Sequence, residues 1–450
     1  MESFDFHPAA REAIDKGAIT LLAEIKEHQV KPSNPPDFPS ERPVGPHITD
    51  KEIIGVPMLF ETNIFGNMVA RYFPHEGKIY GLAPNEFRNL RRLADQVVKT
   101  PWVAEALGRE FVEDHIFLWC RDNFQNDSPT SFTEYLSAQA AEEVQQGPVW
   151  VPVAFMEVER EFQFVSAKLA PITAAMLDHQ ERTYIDRSPD NENQIRALFA
   201  EKRRKYQGLA AVVLELEAVK GYRMQRAIDL ADIIVGLLRL YSAAAYVPWL
   251  TCPSAIVGTE YVPSTTAISY GPNGSFAMTQ GVLKPLPYPW RISTKEWENM
   301  NANHLGLLGD LVRESGLSEF QSRVRTSILT YSKGLTLREV GDRLVYSLSA
   351  LEGLLLRDSS EPIQQNLGER LAFLLHKDPN ERQEIVRNVR DIYGIRSRYI
   401  HHQKSVPDES AVEKFFPIAR SALFTALAST PNFSTAFDFV NAIDRVKFGG

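Results

Sequence analysis

Cysteine is nearly absent from this chain. Its 450 residues hold two, Cys120 and Cys252, far apart and without metal-ligand spacing. A disulfide framework is thereby excluded, and a reducing, cytoplasmic compartment is the expectation. Long apolar runs are lacking too. The most apolar stretch, Leu230 to Leu250, is interrupted by Asp232 and Arg239, so it reads as a buried helix, and no membrane partner is expected. The first residues, Met1-Glu-Ser-Phe-Asp-Phe-His7, are acidic and contain no apolar core of a leader, so no signal peptide is expected. There is no Walker loop, no G-x-G-x-x-G, no internal repeat and no low-complexity tract. Adjacent His401-His402 is not metal-ligand spacing, so neither a metal nor a cofactor is expected.

What remains is an ordinary globular composition, 44% hydrophobic and 24% charged, with length enough for two or three domains. The net charge of −8 argues against a surface that coats nucleic acid. The charge is uneven, however. Residues 318–404 carry 14 Lys+Arg against 11 Asp+Glu, whereas residues 1–317 carry 31 against 41. The basic third leaves room for a phosphate-bearing ligand; a solvated, arginine-rich helix surface accounts for the same count.

The expected organisation is an α+β N-terminal region with antiparallel strands over 1–317, as one or two subdomains, followed by an all-α bundle over 318–450. A helix is expected from Ala13 to Glu27, then an irregular segment with six prolines between Lys31 and Pro46. Strands are expected at Ile53–Phe60, at Val69–Phe73 and Lys78–Leu82 around a turn, and over Trp150–Val165. Residues 193–246 read as helical, interrupted at Gly208 and Gly221. Gly271-Pro-Asn-Gly274 reads as a hairpin turn. Ser293-Thr-Lys-Glu296 and Thr336-Leu-Arg-Glu339 both read as capping boxes. Five helices are expected after Ser318: Glu319–Ser332, Thr336–Leu356, Gln364–His376, Glu381–His401 and Ser410–Ser429.

The fourth of these carries a conflict between pattern and chemistry. Counting from Ile385, its apolar stripe is Val389, Ile392, Arg396 and Tyr399, so a guanidinium stands at a core position. A buried charge needs a partner, a substrate or an anion. The second helix has a matching anomaly, with Glu352 among Val345, Leu348, Leu355 and Leu356. A Glu352–Arg396 bidentate pair would satisfy both, either as part of a site or as a register-fixing bridge. His401 follows Arg396 in an R-x4-H arrangement, and histidine is the side chain best suited to proton transfer near neutral pH. Five residues are about 140° apart on a helix, so the two do not share a face. Arg398 has same-face spacing to both His401 and His402.

The segments Leu348-Ser-Ala-Leu-Glu-Gly-Leu-Leu-Leu356, Gly368-Glu-Arg-Leu-Ala-Phe-Leu-Leu375 and Tyr393-Gly-Ile-Arg-Ser-Arg-Tyr-Ile-His401 resemble, in order and spacing, the HEPN superfamily and within it the Apea-like HEPN domain. The resemblance covers roughly 318–430. It implies a metal-independent endoribonuclease working as a homodimer through the bundle, with Arg396 and His401 as the catalytic pair. Glu352 and Arg370 would support them. Two departures stand out: Ser397 follows the arginine where many members have Asn, Asp or His, and His402 follows the histidine where glycine is common. The implied setting is prokaryotic antiviral defence by abortive infection, with an RNA substrate, tRNA among the candidates, and a phage-derived or cellular trigger acting on residues 1–317. Two other readings stay open: a catalytically silent dimerisation or nucleotide-sensing module, and the toxin of a toxin–antitoxin pair.

Overall fold

The computed structural model describes residues 4–28, 59–259, 264–270, 276–282, 289–313, 315–358, 360–402 and 409–449. The proline-rich segment, most of the expected strand at 53–60 and the Gly271–Gly274 turn lie outside them. The chain is α+β, and its contacts divide it into two units, residues 1–147 with 216–225, and residues 148–215 with 226–450.

In the first unit, α1 (Pro8–Leu22) begins and ends five residues earlier than expected. Lys26–Glu27 instead forms a short strand, β1, which pairs with β4. With β2 (Leu59–Thr62), β3 (Met68–His75) and β4 (Lys78–Leu82) it makes an antiparallel sheet in the order β1-β4-β3-β2. The expected hairpin is present and tighter than its proline suggests. His75 pairs with Lys78, and Glu76 and Gly77 both take positive φ (49° and 77°), the two-residue turn that suits strand twist. Helices α2 (Pro84–Val97), α3 (Pro101–Ala106), α4 (Gly108–Asp122) and α5 (Phe132–Glu143) follow, the first two opened by proline at the first helical position. Their apolar faces enclose Phe73, Leu90, Val112, Phe117, Trp119 and Phe132.

The long strand β5 (Val144–Ala154) leads into the second unit, followed by β6 (Met156–Val158), β7 (Phe162–Phe164), β8 (Ala167–Pro171), α6 (Ala174–Arg187) and α7 (Glu192–Tyr206). The residues expected to continue as helix form instead a strand, β9 (Ala210–Val219), central in the five-stranded order β10-β5-β9-β8-β7, where β10 is Ala255–Ile256. Its first five residues are all buried. A continuous apolar run that short is what a strand covered on both faces requires. Helix α8 (Lys220–Leu238) comes next. Beyond β10, β11 (Ser264–Tyr270) and β12 (Phe276–Val282) pair antiparallel as expected, and β13 (Trp290–Ile292) runs parallel to β6.

The Ser293 capping box forms with both its hydrogen bonds and opens α9 (Thr294–Ala302). The helix ends before His304 (φ 68°), and α10 (Leu305–Asp310) follows. Then come α11 (Glu319–Leu335), α12 (Val340–Leu355), α13 (Ile363–Leu375), α14 (Pro379–His402), α15 (Glu409–Ser429) and α16 (Ala436–Lys447). Helix α16 exceeds the five expected. The second expected capping box does not form. Thr336 caps the end of α11, donating its hydroxyl to Lys333 O (2.9 Å), and α12 starts from Glu339 with no side-chain cap.

The contacts do not divide at 317/318, because an irregular segment, residues 239–254, is pinned to the helices that follow it. Two short 3₁₀ turns and two prolines, Pro248 and Pro253, leave its carbonyls without regular partners, and buried carbonyls must find donors. Side chains supply them. Arg343 on α12 donates Nη2 to Ala244 O (2.7 Å) and Nη1 to Leu250 O (2.5 Å) and Pro248 O. Tyr331 on α11 donates to Ala245 O (2.6 Å), and Arg420 on α15 donates Nε to Leu240 O (3.1 Å). Arg343 is 1% exposed, has no carboxylate partner among the described residues, and lies 5.0 Å from the Phe416 ring centroid. Burial pushes its guanidinium down to about 10, so it stays charged at neutral pH.

Replacing Arg343 by Met leaves three carbonyls unanswered. The expected loss is about 3–5 kcal/mol of unfolding free energy, with Arg343→Lys recovering part of it. Urea unfolding followed by circular dichroism measures this; an unchanged midpoint would refute the clasp.

Candidate functional site

Helix α14 carries the R-x4-H residues. It buries Ile385, Asn388, Val389, Ile392 and Ile395, a stripe that ends one residue before Arg396. Arg396 therefore stands at the margin of the core, half-buried rather than enclosed. Its Nε is shut off from solvent and has no hydrogen-bond partner, and no carboxylate reaches the guanidinium among the described residues. Ser397, Arg398 and His401 are exposed. Arg398 folds back along the helix, so that a β-carbon on Gly394 would lie 3.5 Å from its Nη1. The backbone remains helical through His402, whose side chain lies outside the described residues.

The expected Glu352–Arg396 pair is not formed. Glu352 is half-buried on α12 and accepts a hydrogen bond from the Tyr393 hydroxyl at 2.7 Å. Burial, then the Glu352 carboxylate, pushes the Tyr393 phenol well above its ordinary value, so it remains a donor. The expected stripe on α12 was displaced by one residue. The buried positions include Arg343, Leu344, Ser347, Leu348, Leu351, Leu354 and Leu355, and Glu352 falls on their flank.

One turn further along α14, Tyr399 donates to Asp342 Oδ1 at 2.8 Å, and burial followed by that carboxylate pushes its phenol up to about 12. The contact depends on Gly341. A β-carbon there would come within 2.4 Å of the Tyr399 ring. Two tyrosine–carboxylate bonds thus hold the end of α14 against α12 and fix the azimuth at which Arg396 emerges.

Arg370, expected beside the catalytic pair, belongs to a separate ion cluster. It is 3% exposed and grips Glu361 through two nitrogens (2.7 and 2.8 Å), Asp444 through two more contacts (both 3.1 Å), and Leu355 O at 2.8 Å. None of these contacts involves Glu352, Arg396 or His401. The Arg370 bond, above all, draws Glu361 down to about 2. This cluster ties α13 to α16.

The arginine that sequence reasoning missed is Arg343. Its signal was the same as the one read for Arg396, a guanidinium in phase with Ser347, Leu351 and Leu354. The stripe chosen from Val345 concealed it. No helix among the described residues is long and apolar enough to cross a membrane. Comparison of the chain with protein-family models, curated proteins and solved structures returns no match.

Two predictions follow from these contacts. Gly341→Ala should cost about 1–3 kcal/mol by forcing the Tyr399 ring aside. In a double-mutant cycle, Tyr399→Ala should relieve most of that loss, and simple additivity would show that the two do not meet. A carboxylate lowered in the folded state contributes stability that is complete above its unfolded value. That contribution is lost as pH falls from about 4.5 through about 2. Wild-type unfolding free energy should drop by about 3 kcal/mol over that window on account of Glu361. The fall should flatten in Glu361→Gln, read from urea titrations at a series of pH values.

Proposed function

We propose that the chain is a metal-independent endoribonuclease of the HEPN type, with Arg396 and His401 as its catalytic pair. The observation that carries this reading is the state of Arg396: a half-buried cation whose Nε is cut off from water and bonded to nothing. Structural guanidiniums in the same helices, Arg343 and Arg370, have partners at hydrogen-bond distance on two or more nitrogens. A cation held without an anion, one and a half turns from an exposed imidazole, suits a phosphate that arrives with the substrate.

In this reading the ribose 2′-oxygen attacks the adjacent phosphorus, a 2′-O–P bond forms, and the P–O5′ bond breaks. The products are a 2′,3′-cyclic phosphate and a free 5′-hydroxyl. Arg396 holds the phosphate and offsets the charge growing on its oxygens. His401 moves the proton taken from the 2′-hydroxyl or given to the leaving oxygen, a role worth about 10²–10⁴ in rate. Because α14 stays helical through His402, Arg396 and His401 of one chain point about 140° apart. A composite site then needs a second copy, with Arg396 of one chain facing His401 of the other, so the reading includes a homodimer. Exposed Ser397 and Arg398 sit between the two on the helix and would contact the RNA backbone. Glu352 acts through Tyr393 on the α12–α14 packing rather than on Arg396. Restraint by residues 1–317, and a setting in antiviral defence, rest on the family resemblance alone.

The test is cleavage of cellular RNA and tRNA in EDTA by wild type, Arg396→Ala and His401→Ala. Each variant should lose about 10²-fold or more, while fragments from the wild type end in a cyclic phosphate. A requirement for added metal, or full activity in both variants, would sink the proposal. The silent-module alternative needs Arg396 to be structural. With no ion pair to break, Arg396→Ala should change stability by less than about 1 kcal/mol; a loss of about 3–5 kcal/mol without any nuclease activity would favour that alternative.

A further inference from the structure

The two charges that interrupt the apolar run Leu230 to Leu250 line a cavity of about 410 Å³, within the size range of small-molecule sites. Asp232, Gly236 and Arg239 border it from α8 and its end, Lys333 and Thr336 from the end of α11, and Thr259 from the segment after β10. Arg239 is 7% exposed. Its Nε donates to Ser254 O at 2.7 Å and its Nη1 weakly to Ser332 Oγ at 3.4 Å; Nη2 has no partner among the described residues. Burial lowers its pKa from the ordinary value, opposed by Cys252 and then by the Asp232 carboxylate from beyond ion-pair distance.

Lys333 is exposed, has no carboxylate partner among the described residues, and lies 5.7 Å from the Tyr346 ring centroid. The cavity thus holds two cations, and Asp232, the carboxylate among its lining residues, reaches neither of them at ion-pair distance. Its remaining polar groups are acceptors. Thr259 and Thr336 give their hydroxyl hydrogens to Ile256 O (2.8 Å) and Lys333 O (2.9 Å), which leaves their oxygens to accept, as Asp232 does. Donors that are cationic, set beside acceptors that are not matched by protein donors, describe a ligand with an anionic end and a hydroxylated end.

We infer that this cavity binds a small phosphate monoester bearing hydroxyl groups, of the sugar-phosphate class, its phosphate on Arg239 and Lys333 and its hydroxyls on Asp232 and the two threonines. The site is distinct in its residues from Arg396 and His401 and does not depend on the nuclease reading. Phosphate alone would use only the cationic half.

Calorimetric titration of the full chain with ribose 5-phosphate, inorganic phosphate and ribose, at constant ionic strength, tests the inference. Ribose 5-phosphate should bind and raise the thermal midpoint, inorganic phosphate should bind about tenfold more weakly, and ribose should not bind detectably. Lys333→Ala, at an exposed position that folding tolerates, should weaken both phosphate ligands about tenfold. Asp232→Asn should weaken ribose 5-phosphate and leave inorganic phosphate unchanged or tighter. Absence of binding at millimolar concentration, or a Lys333→Ala chain that binds like wild type, overturns the site. Equal affinity for the two phosphate ligands overturns the hydroxylated end and assigns the cavity to the inorganic anion.

Discussion

A guanidinium without a carboxylate organises the larger unit. Arg343 is almost wholly buried, and what compensates its charge is a set of carbonyl dipoles from Ala244, Pro248 and Leu250. The arrangement solves two problems at once. A cation in the core needs oxygen atoms around it, and an irregular buried segment needs donors for its carbonyls. Each requirement satisfies the other, and Tyr331, Arg420 and Arg239 extend the pattern to Ala245, Leu240 and Ser254. The connection between α8 and β10 is thereby locked onto α11, α12 and α15. Helices that the sequence separates from the sheet region end in the same unit as that region.

Charges in this unit fall into different physical situations. Arg370 sits in a neutralised cluster with Glu361 and Asp444, where ionic contacts close the α13–α16 junction. Arg343 is solvated by backbone. Arg396 has neither arrangement, and Arg239 has only part of the second. The first two are structural by contacts on at least two guanidinium nitrogens each, although Arg343 Nε, like Arg396 Nε, is buried without a partner. The incompleteness of the last two is the physical ground for reading ligands at α14 and at the α8–α11 cavity. On the same helix as Arg396, Tyr393 and Tyr399 engage the carboxylates of Glu352 and Asp342.

Local signals in the sequence were legible where one stretch of chain decides the outcome. The turn before Lys78, the caps at Ser293 and Ser318, and the helices at α11, α13, α14 and α15 follow from residues close to one another in sequence. Helix α16 was equally legible, since Ala436, Phe439, Val440 and Ile443 keep helical spacing after a Thr435 cap. Signals failed where the same letters serve two outcomes. Ala210–Val219 is apolar enough for a helix, and only its place between β5 and β8 makes it a strand. Thr336 and Glu339 have capping-box spacing, yet the chain uses Thr336 to close the preceding helix.

The amino-acid order by itself determined which residue types would be in conflict with their surroundings: arginines at 239, 343, 370 and 396 on apolar stripes, and glutamate at 352 beside one. It also determined that α14 would carry an arginine and a histidine on different faces, because helical geometry follows from spacing alone. Which partner each charge obtained was decided only when the helices packed. Glu352 met Tyr393 instead of Arg396, Arg370 met a carboxylate 74 residues away, and Arg343 met carbonyls more than 90 residues earlier. The reason is that pairing depends on distances across elements, and sequence periodicity fixes directions within one element only.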